Sequence, residues 1–258
     1  MSTVITAVGN RKGGVGKTSV TLGLAIGLSL LGKRVLVVDL DPQANATTAL
    51  EAEGEFNIFD VLYGGEAGTL GQAIVATSWL GIDAVPGSES LSRIESEVLM
   101  TPELRLKTAA WTSVELEKYD HILIDLPPAL GRLTLNGLIW ADQVIAVTEA
   151  AAFSVRGVTE FLETVAKVQS LPHLNPELKF AGIIINKTSA PLTGEHSYQI
   201  GELQAEYGDS VMMPAVPQRT AMQDSVSSRT PLTKLSGPGA AVLTEIFVKH
   251  ARRLNGEK

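Results

Sequence analysis

The sequence predicts an α/β fold, a mostly parallel, twisted sheet with helices on both faces. Short runs rich in Val and Ile recur along the chain, each the length of a strand buried on both sides. Helix-length segments separate these runs, and that alternation gives parallel strands joined by crossover helices. Length and composition agree: 258 residues, 45% hydrophobic and 19% charged, hold enough apolar material for a large core.

Val4 to Val8 reads as the first strand, and Lys17 to Leu31 as the helix that follows it. Arg34 to Asp39 is the second strand. Glu51 to Leu80 is dotted with glycine and shows no clear period, whereas Ile82 to Val85 again has strand character. A helix is expected over Leu104 to Glu117, then strands over His121 to Asp125 and Val144 to Thr148. The remaining pattern is helix Val158 to Gln169, strand Ala181 to Asn186, helix His196 to Tyr207, strand Val211 to Val216 and a last helix from about Ala240 to Leu254. No internal repeat, low-complexity tract or Pro/Ser-rich linker interrupts residues 1–258, so a single domain is expected.

The absence of cysteine excludes a disulfide scaffold, a thiolate metal or iron-sulfur site and cysteine nucleophile chemistry. The four histidines lack metal-ligand spacing. The uncharged run from Thr18 to Gly32 carries Thr, Ser and Gly and is 15 residues long, short of the roughly 20 apolar residues a membrane span needs. At the N-terminus the apolar stretch precedes the basic residues, the reverse of a secretory signal, so a cytoplasmic location is expected. Net charge is −7 but uneven: residues 215–258 carry seven Lys and Arg against three Asp and Glu.

The first strand runs into Gly9-Asn10-Arg11-Lys12-Gly13-Gly14-Val15-Gly16-Lys17-Thr18, and a helix follows at once. The strict phosphate-loop pattern GxxxxGK[ST] would need Gly at position 11, where Arg stands. What remains, KGGVGKT, has the required chemistry. Backbone N–H groups of Gly13, Gly14, Val15 and Gly16 can turn inward around phosphate oxygens, and the new helix adds its positive end over Ser19. Lys17 can reach the β/γ-phosphates and the Thr18 hydroxyl can bind Mg²⁺. The sheet is therefore expected to be of the phosphate-loop NTPase type. Lys12 is an extra lysine beside the cradle; it either faces solvent or adds charge to a nucleotide, including one held by a second subunit.

Two further strand ends are acidic. Val37-Val38-Asp39-Leu40-Asp41 places Asp39 and Asp41 at the carboxyl end of a strand, where ligands of open α/β sheets bind. Carboxylates there can hold magnesium-bound water or orient an attacking water. Ile122-Leu123-Ile124-Asp125 is the second strand-end acid expected near magnesium, and Pro127 and Pro128 stiffen the loop after it.

KGGVGKT, VVDLDPQAN and ILIDLPPALGRLTLNGL together resemble the ParA family of partition ATPases, within the larger group that includes MinD. The resemblance covers nearly the whole chain. It implies ATP and Mg²⁺ as cofactors, a homodimer with ATP sandwiched between subunits, nonspecific binding of double-stranded DNA in that state, and hydrolysis stimulated by a centromere-binding ParB-like protein. It also implies a nucleoid-associated location. By the same resemblance Lys12 would reach the neighbouring subunit's nucleotide, Asp41 would position the attacking water, and Asp39 and Asp125 would act around magnesium. Asn186, in IIINK, matches a position that touches adenine, although a plain strand-end Asn is the alternative; Pro217 lies in the neighbouring loop.

The chain departs from the family pattern in two places. Ala44 stands where Gly is frequent, and the closing stretch Val216-Pro217-Gln218-Arg219-Thr220 lacks the usual basic pair. Arg219, Arg229, Lys234, Lys249, Arg252 and Arg253 are then the residues left to form a DNA-contacting patch, against the alternative of ordinary solvated charge. Only about eight residues precede Gly9, so no N-terminal helix-turn-helix extension is expected. A MinD-like membrane-cycling or protein-cargo positioning ATPase is the second functional reading. Its lipid contact would be the apolar face of the last helix, Leu243, Ile246, Phe247, Ala251 and Leu254, beside Lys249, Arg252 and Arg253. The same spacing is that of a helix packing on its own sheet, which makes a membrane partner the less expected outcome.

Overall fold

The computed structural model describes residues 3–257. Its strands are β1 (Val4–Gly9), β2 (Val35–Asp39), β3 (Val75–Ala76), β4 (Ile82–Val85), β5 (His121–Asp125), β6 (Gln143–Glu149), β7 (Lys179–Asn186) and β8 (Val211–Met212). They form one sheet in the order β3-β4-β2-β5-β1-β6-β7-β8. Every neighbouring pair is parallel except β3 with β4. The helices are α1 (Lys17–Leu30), α2 (Asn45–Leu50), α3 (Ile58–Gly64), α4 (Arg105–Ala110), α5 (Arg132–Trp140), α6 (Ser154–Ser170), α7 (Gly194–Tyr207), α8 (Thr220–Ser227) and α9 (Pro238–Leu254).

Alternation along each strand divides the core in two. Leu36, Val38, Ile122 and Ile124 pack on one face with α3, α5 and α6. Val35, Val37, Leu123, Ile145 and Ile184 pack on the other with α1 and α9. The Val and Ile runs are continuous because both faces are covered.

Helix α9 sits close against α1 because α1 carries Gly23 and Gly27 one turn apart. A Cβ at Gly23 would lie 2.4 Å from the Phe247 ring, and one at Gly27 would lie 2.5 Å from the Phe247 carbonyl oxygen. Leu243, Ile246, Phe247, Ala251 and Leu254 are all buried in this contact layer. The apolar face that a lipid surface would need is thus occupied by α1 and the sheet.

Three expectations are corrected. The helix over Leu104 to Glu117 is broken, ending at Ala110, with Thr112 left-handed at φ +68° and a separate short turn over Val114–Lys118. The strand Val211 to Val216 shortens to two residues, since Pro214 has no N–H for a ladder; pairing resumes where the Val216 N–H donates to the Ile185 carbonyl. Helices α2, α3, α5 and α8 were not anticipated. At six to nine residues they span too few turns to show a period, although the Asn57/Asp60 capping box announces α3.

Candidate active site

The strand register brings the chemistry to one edge. Asp39 pairs with Asp125 across β2 and β5, Val8 with Asp125 across β1 and β5, and Glu149 with Asn186 across β6 and β7. From β1 the chain crosses to β2 on one side, and from β5 to β6 on the other. The carboxyl ends of β1 and β5 therefore flank the crevice where such sheets bind ligands.

Between Gly9 and α1 the phosphate loop stands clear of the core, with Arg11 to Gly14 exposed and Val15 buried as its anchor. Gly14 and Gly16 have φ of +80° and +87°, left-handed conformations that L side chains rarely adopt. Asn10 ties the loop down: its Nδ2 donates to the Val147 carbonyl at 2.7 Å and its Oδ1 accepts from the Lys12 N–H at 3.2 Å. Pro128 approaches Gly13 from the loop after β5.

Lys17 is 7% exposed, and among the described residues its ammonium has no hydrogen-bond partner. Burial lowers its pKa, opposed by the charges of Asp125 and Asp41. An amine with no protein partner, on the turn that follows the left-handed Gly14 and Gly16, is arranged to receive an anion. Thr18 Oγ1 donates to Asp125 Oδ2 at 2.6 Å, and Thr21 Oγ1 to Asp125 Oδ1 at 3.1 Å. Asp39 is held by Thr47, whose N–H and hydroxyl both donate to Oδ2 at 2.8 and 2.7 Å, and by the Asp41 N–H. Asp41 closes a turn by accepting from the Gln43 N–H at 2.9 Å.

Burial is the main force raising the pKa of both Asp39 and Asp125, and each is raised further by a neighbouring carboxylate, Asp41 and Asp39 respectively. Crowded, dehydrated carboxylates beside a threonine hydroxyl suit a hard cation. Among the described residues no three His, Cys, Asp or Glu converge as a complete cage. Magnesium keeps waters and substrate phosphates in its shell and needs few protein ligands.

Lys12 extends from the loop, its side chain 53% exposed, and pairs with Glu149 at 3.3 Å. Glu149 also pairs with Lys187 at 3.2 Å, and the Lys187 ammonium donates to the Gly14 carbonyl. Asn186 Nδ2 donates to the Val15 carbonyl at 2.9 Å, so its amide braces the phosphate loop. It also lines a cleft of about 60 Å³ with Ser19, Pro217 and Arg219. The residues missed by sequence reasoning, Asn10, Thr21, Thr47, Glu149 and Lys187, hold the loop and the acids in place. Thr21 alone carried a signal, one helical turn after Lys17 on the same face.

The six basic residues come from separate elements after β8. Arg219 lines the cleft beside Asn186 and Pro217, while Arg229 pairs with Glu51 at 3.1 Å. Lys234 follows α8, and Lys249 pairs with Glu245 on α9. Arg252 and Arg253 end α9, where Arg253 donates to the Asp209 carbonyl.

A family model described as an AAA domain matches residues 3–180. The chain is 34% identical over 233 residues to the sporulation initiation inhibitor protein Soj of Bacillus subtilis, covering 88% of this chain and 89% of Soj. It is 32% identical over 234 residues to the chromosome partitioning protein ParA of Caulobacter vibrioides, covering 88% and 85%. The chain belongs to the ParA family of partition ATPases. The same architecture occurs in cobyrinic acid a,c-diamide synthase from Mycobacterium smegmatis, solved with ADP and magnesium, at TM-score 0.79 and 29% identity over 98% of this chain and 96% of that one. The phosphate loop here carries lysines on both flanks of its glycines, Lys12 and Lys17.

Proposed function

We propose that this ParA-family protein is an ATP-dependent DNA-segregation ATPase whose ATP-bound dimer holds nonspecific double-stranded DNA and lets go on hydrolysis. The observation that carries the reading is the contrast between the two lysines. Lys17 is a buried residue that makes no ion pair and has the charges of Asp125 and Asp41 nearby, whereas Lys12 projects from the same loop on an exposed ion pair. Exposed pairs of this kind contribute about 0–1 kcal/mol, so Lys12 leaves Glu149 readily when a second subunit presents its phosphates.

In this reading the N–H groups of residues 13–19 and the Lys17 ammonium hold the phosphates, and the adenine lies toward Asn186 and Pro217. Thr18 would hold the magnesium ion, with Asp125 accepting from the Thr18 and Thr21 hydroxyls and Asp39 from Thr47 beside it. When bound, the magnesium ion neutralises phosphate charge as it develops. Asp41 accepts a hydrogen bond from the attacking water and aligns it. Arg11, paired with Glu160 at 2.9 Å, couples the loop to α6 on the face where a second subunit and a ParB-like activator would meet. Dimerisation joins scattered basic residues, Arg219 to Arg253, from two copies, so that weak phosphate contacts act together. The cytoplasm, on the nucleoid, is the expected location, and residues 1–258 act as a single ATPase domain.

The test is binding of a random-sequence duplex with ATP, ADP or no nucleotide, across a salt series. Binding only with ATP, falling with salt and lost in Lys12→Ala, is the expected result. Asp41→Ala should hold the ATP dimer on DNA, and Lys17→Ala should remove the nucleotide response. Equal binding in all nucleotide states would refute the coupling.

A further inference from the structure

We propose that the cleft beside the C-terminal ends of α4 and α5 is a docking site for an acidic, apolar segment of a partner protein. The cleft measures about 550 Å³ and is lined by Leu104, Lys107, Trp111, Trp140 and His173, with Thr108 and Ala110. Trp111 is 71% exposed, whereas Trp79 is 1% exposed within the core. A large ring held in water at the rim of an apolar cleft loses transfer free energy that a partner would recover, and exposed tryptophans are frequent anchors of interfaces.

Charge selects the occupant. The ionisable side chains lining the cleft are both bases, Lys107 and His173, and no carboxylate lines it. Lys107 spends one N–H on the Leu174 carbonyl at 3.4 Å and keeps the others for an incoming group. The site opens broadly to solvent, so a small molecule would leave much of its surface wet; a chain segment with leucine-like anchors and Asp or Glu beside them covers both the rings and the bases.

The position matters to the dimer reading without depending on it. Trp111 precedes β5, Trp140 precedes β6 and His173 precedes β7. In parallel strands these entry ends lie at the edge opposite Gly9, Asp125, Glu149 and Asn186. Two copies facing each other across their phosphate loops would leave this cleft open on both.

The experiment uses the full chain without nucleotide, so that its failure is separable from failure of the ATPase reading. The probe is a fluorescein-labelled helical peptide of about four turns built from Glu and Leu, with a Lys/Leu peptide and a Glu/Ser peptide as controls. Anisotropy should rise with the Glu/Leu peptide alone. Trp111→Ala and Lys107→Glu, both at exposed side chains and checked for unchanged melting temperature, should each weaken binding at least about tenfold. No binding up to about 1 mM, equal binding of the Lys/Leu peptide, or indifference to Lys107→Glu would overturn the proposal. Concentration-dependent self-association abolished by Trp111→Ala would also overturn it, assigning the cleft to a second copy.

Discussion

Two glycines of the phosphate loop share a backbone conformation but differ in their surroundings, which separates strain from contact. Gly14 has φ +80° with nothing within 4 Å of a Cβ placed there. Gly16 has φ +87°, and its Cβ would lie 2.2 Å from Asn186 Nδ2. Alanine in the left-handed region costs about 1–2 kcal/mol at either position. At Gly16 the methyl also displaces the Asn186 amide from the Val15 carbonyl, stranding a buried donor at about 1–3 kcal/mol. Gly14→Ala should therefore cost about 1–2 kcal/mol and Gly16→Ala about 2–5 kcal/mol. The assay is urea denaturation of both variants, of Asn186→Ala and of the Gly16→Ala/Asn186→Ala double variant. Asn186→Ala removes the clashing group, so the double variant should be less unstable than the sum by about 1 kcal/mol or more. Equal losses at the two glycines, or strict additivity, would refute the reasoning.

Burial, and then the neighbouring Asp39, raise the pKa of Asp125 above its value in the unfolded chain. Stability it contributes is present at low pH and falls as pH rises above about 4, by about 1.4 kcal/mol per pH unit within the window. Asp125→Asn should flatten that slope in thermal melts between about pH 5 and 7, and an unchanged slope would exclude this carboxylate as its source. Ala44 sits left-handed at φ 50° and ψ 39° ahead of α2; Ala44→Gly should stabilise the fold by about 0.5–1 kcal/mol in urea titration. Phe247→Ala removes a buried ring seated over Gly23, and a loss of about 3–5 kcal/mol in the same titration is expected.

Much of this molecule is written locally. The Val and Ile runs of β1, β2, β5, β6 and β7 are legible because strands covered on both sides need apolar residues at every position. KGGVGKT is legible because inward-turned N–H groups need glycine and a phosphate needs a lysine at a fixed spacing. Asp39, Asp41 and Asp125 are legible because an acid at the end of an apolar run stands out against it. The short helices α2, α5 and α8 are not, since fewer than three turns leave no period to read.

Tertiary structure decided which of these groups face one another. Thr18 and Thr21 meet Asp125 at sequence separations of 107 and 104, and only the sheet order places β5 beside β1. Glu149 gathers Lys12 and Lys187 from loops that share no motif. The apolar stripe of α9 has the spacing of a helix packing on its own sheet, which a lipid-facing helix would share; the two glycines of α1 let the helix axes approach so that it packs inward. The local pattern records what each residue can do, because backbone sterics and side-chain chemistry are properties of short segments. Partners are set by loop closure and packing across the whole chain, and no short segment carries that information.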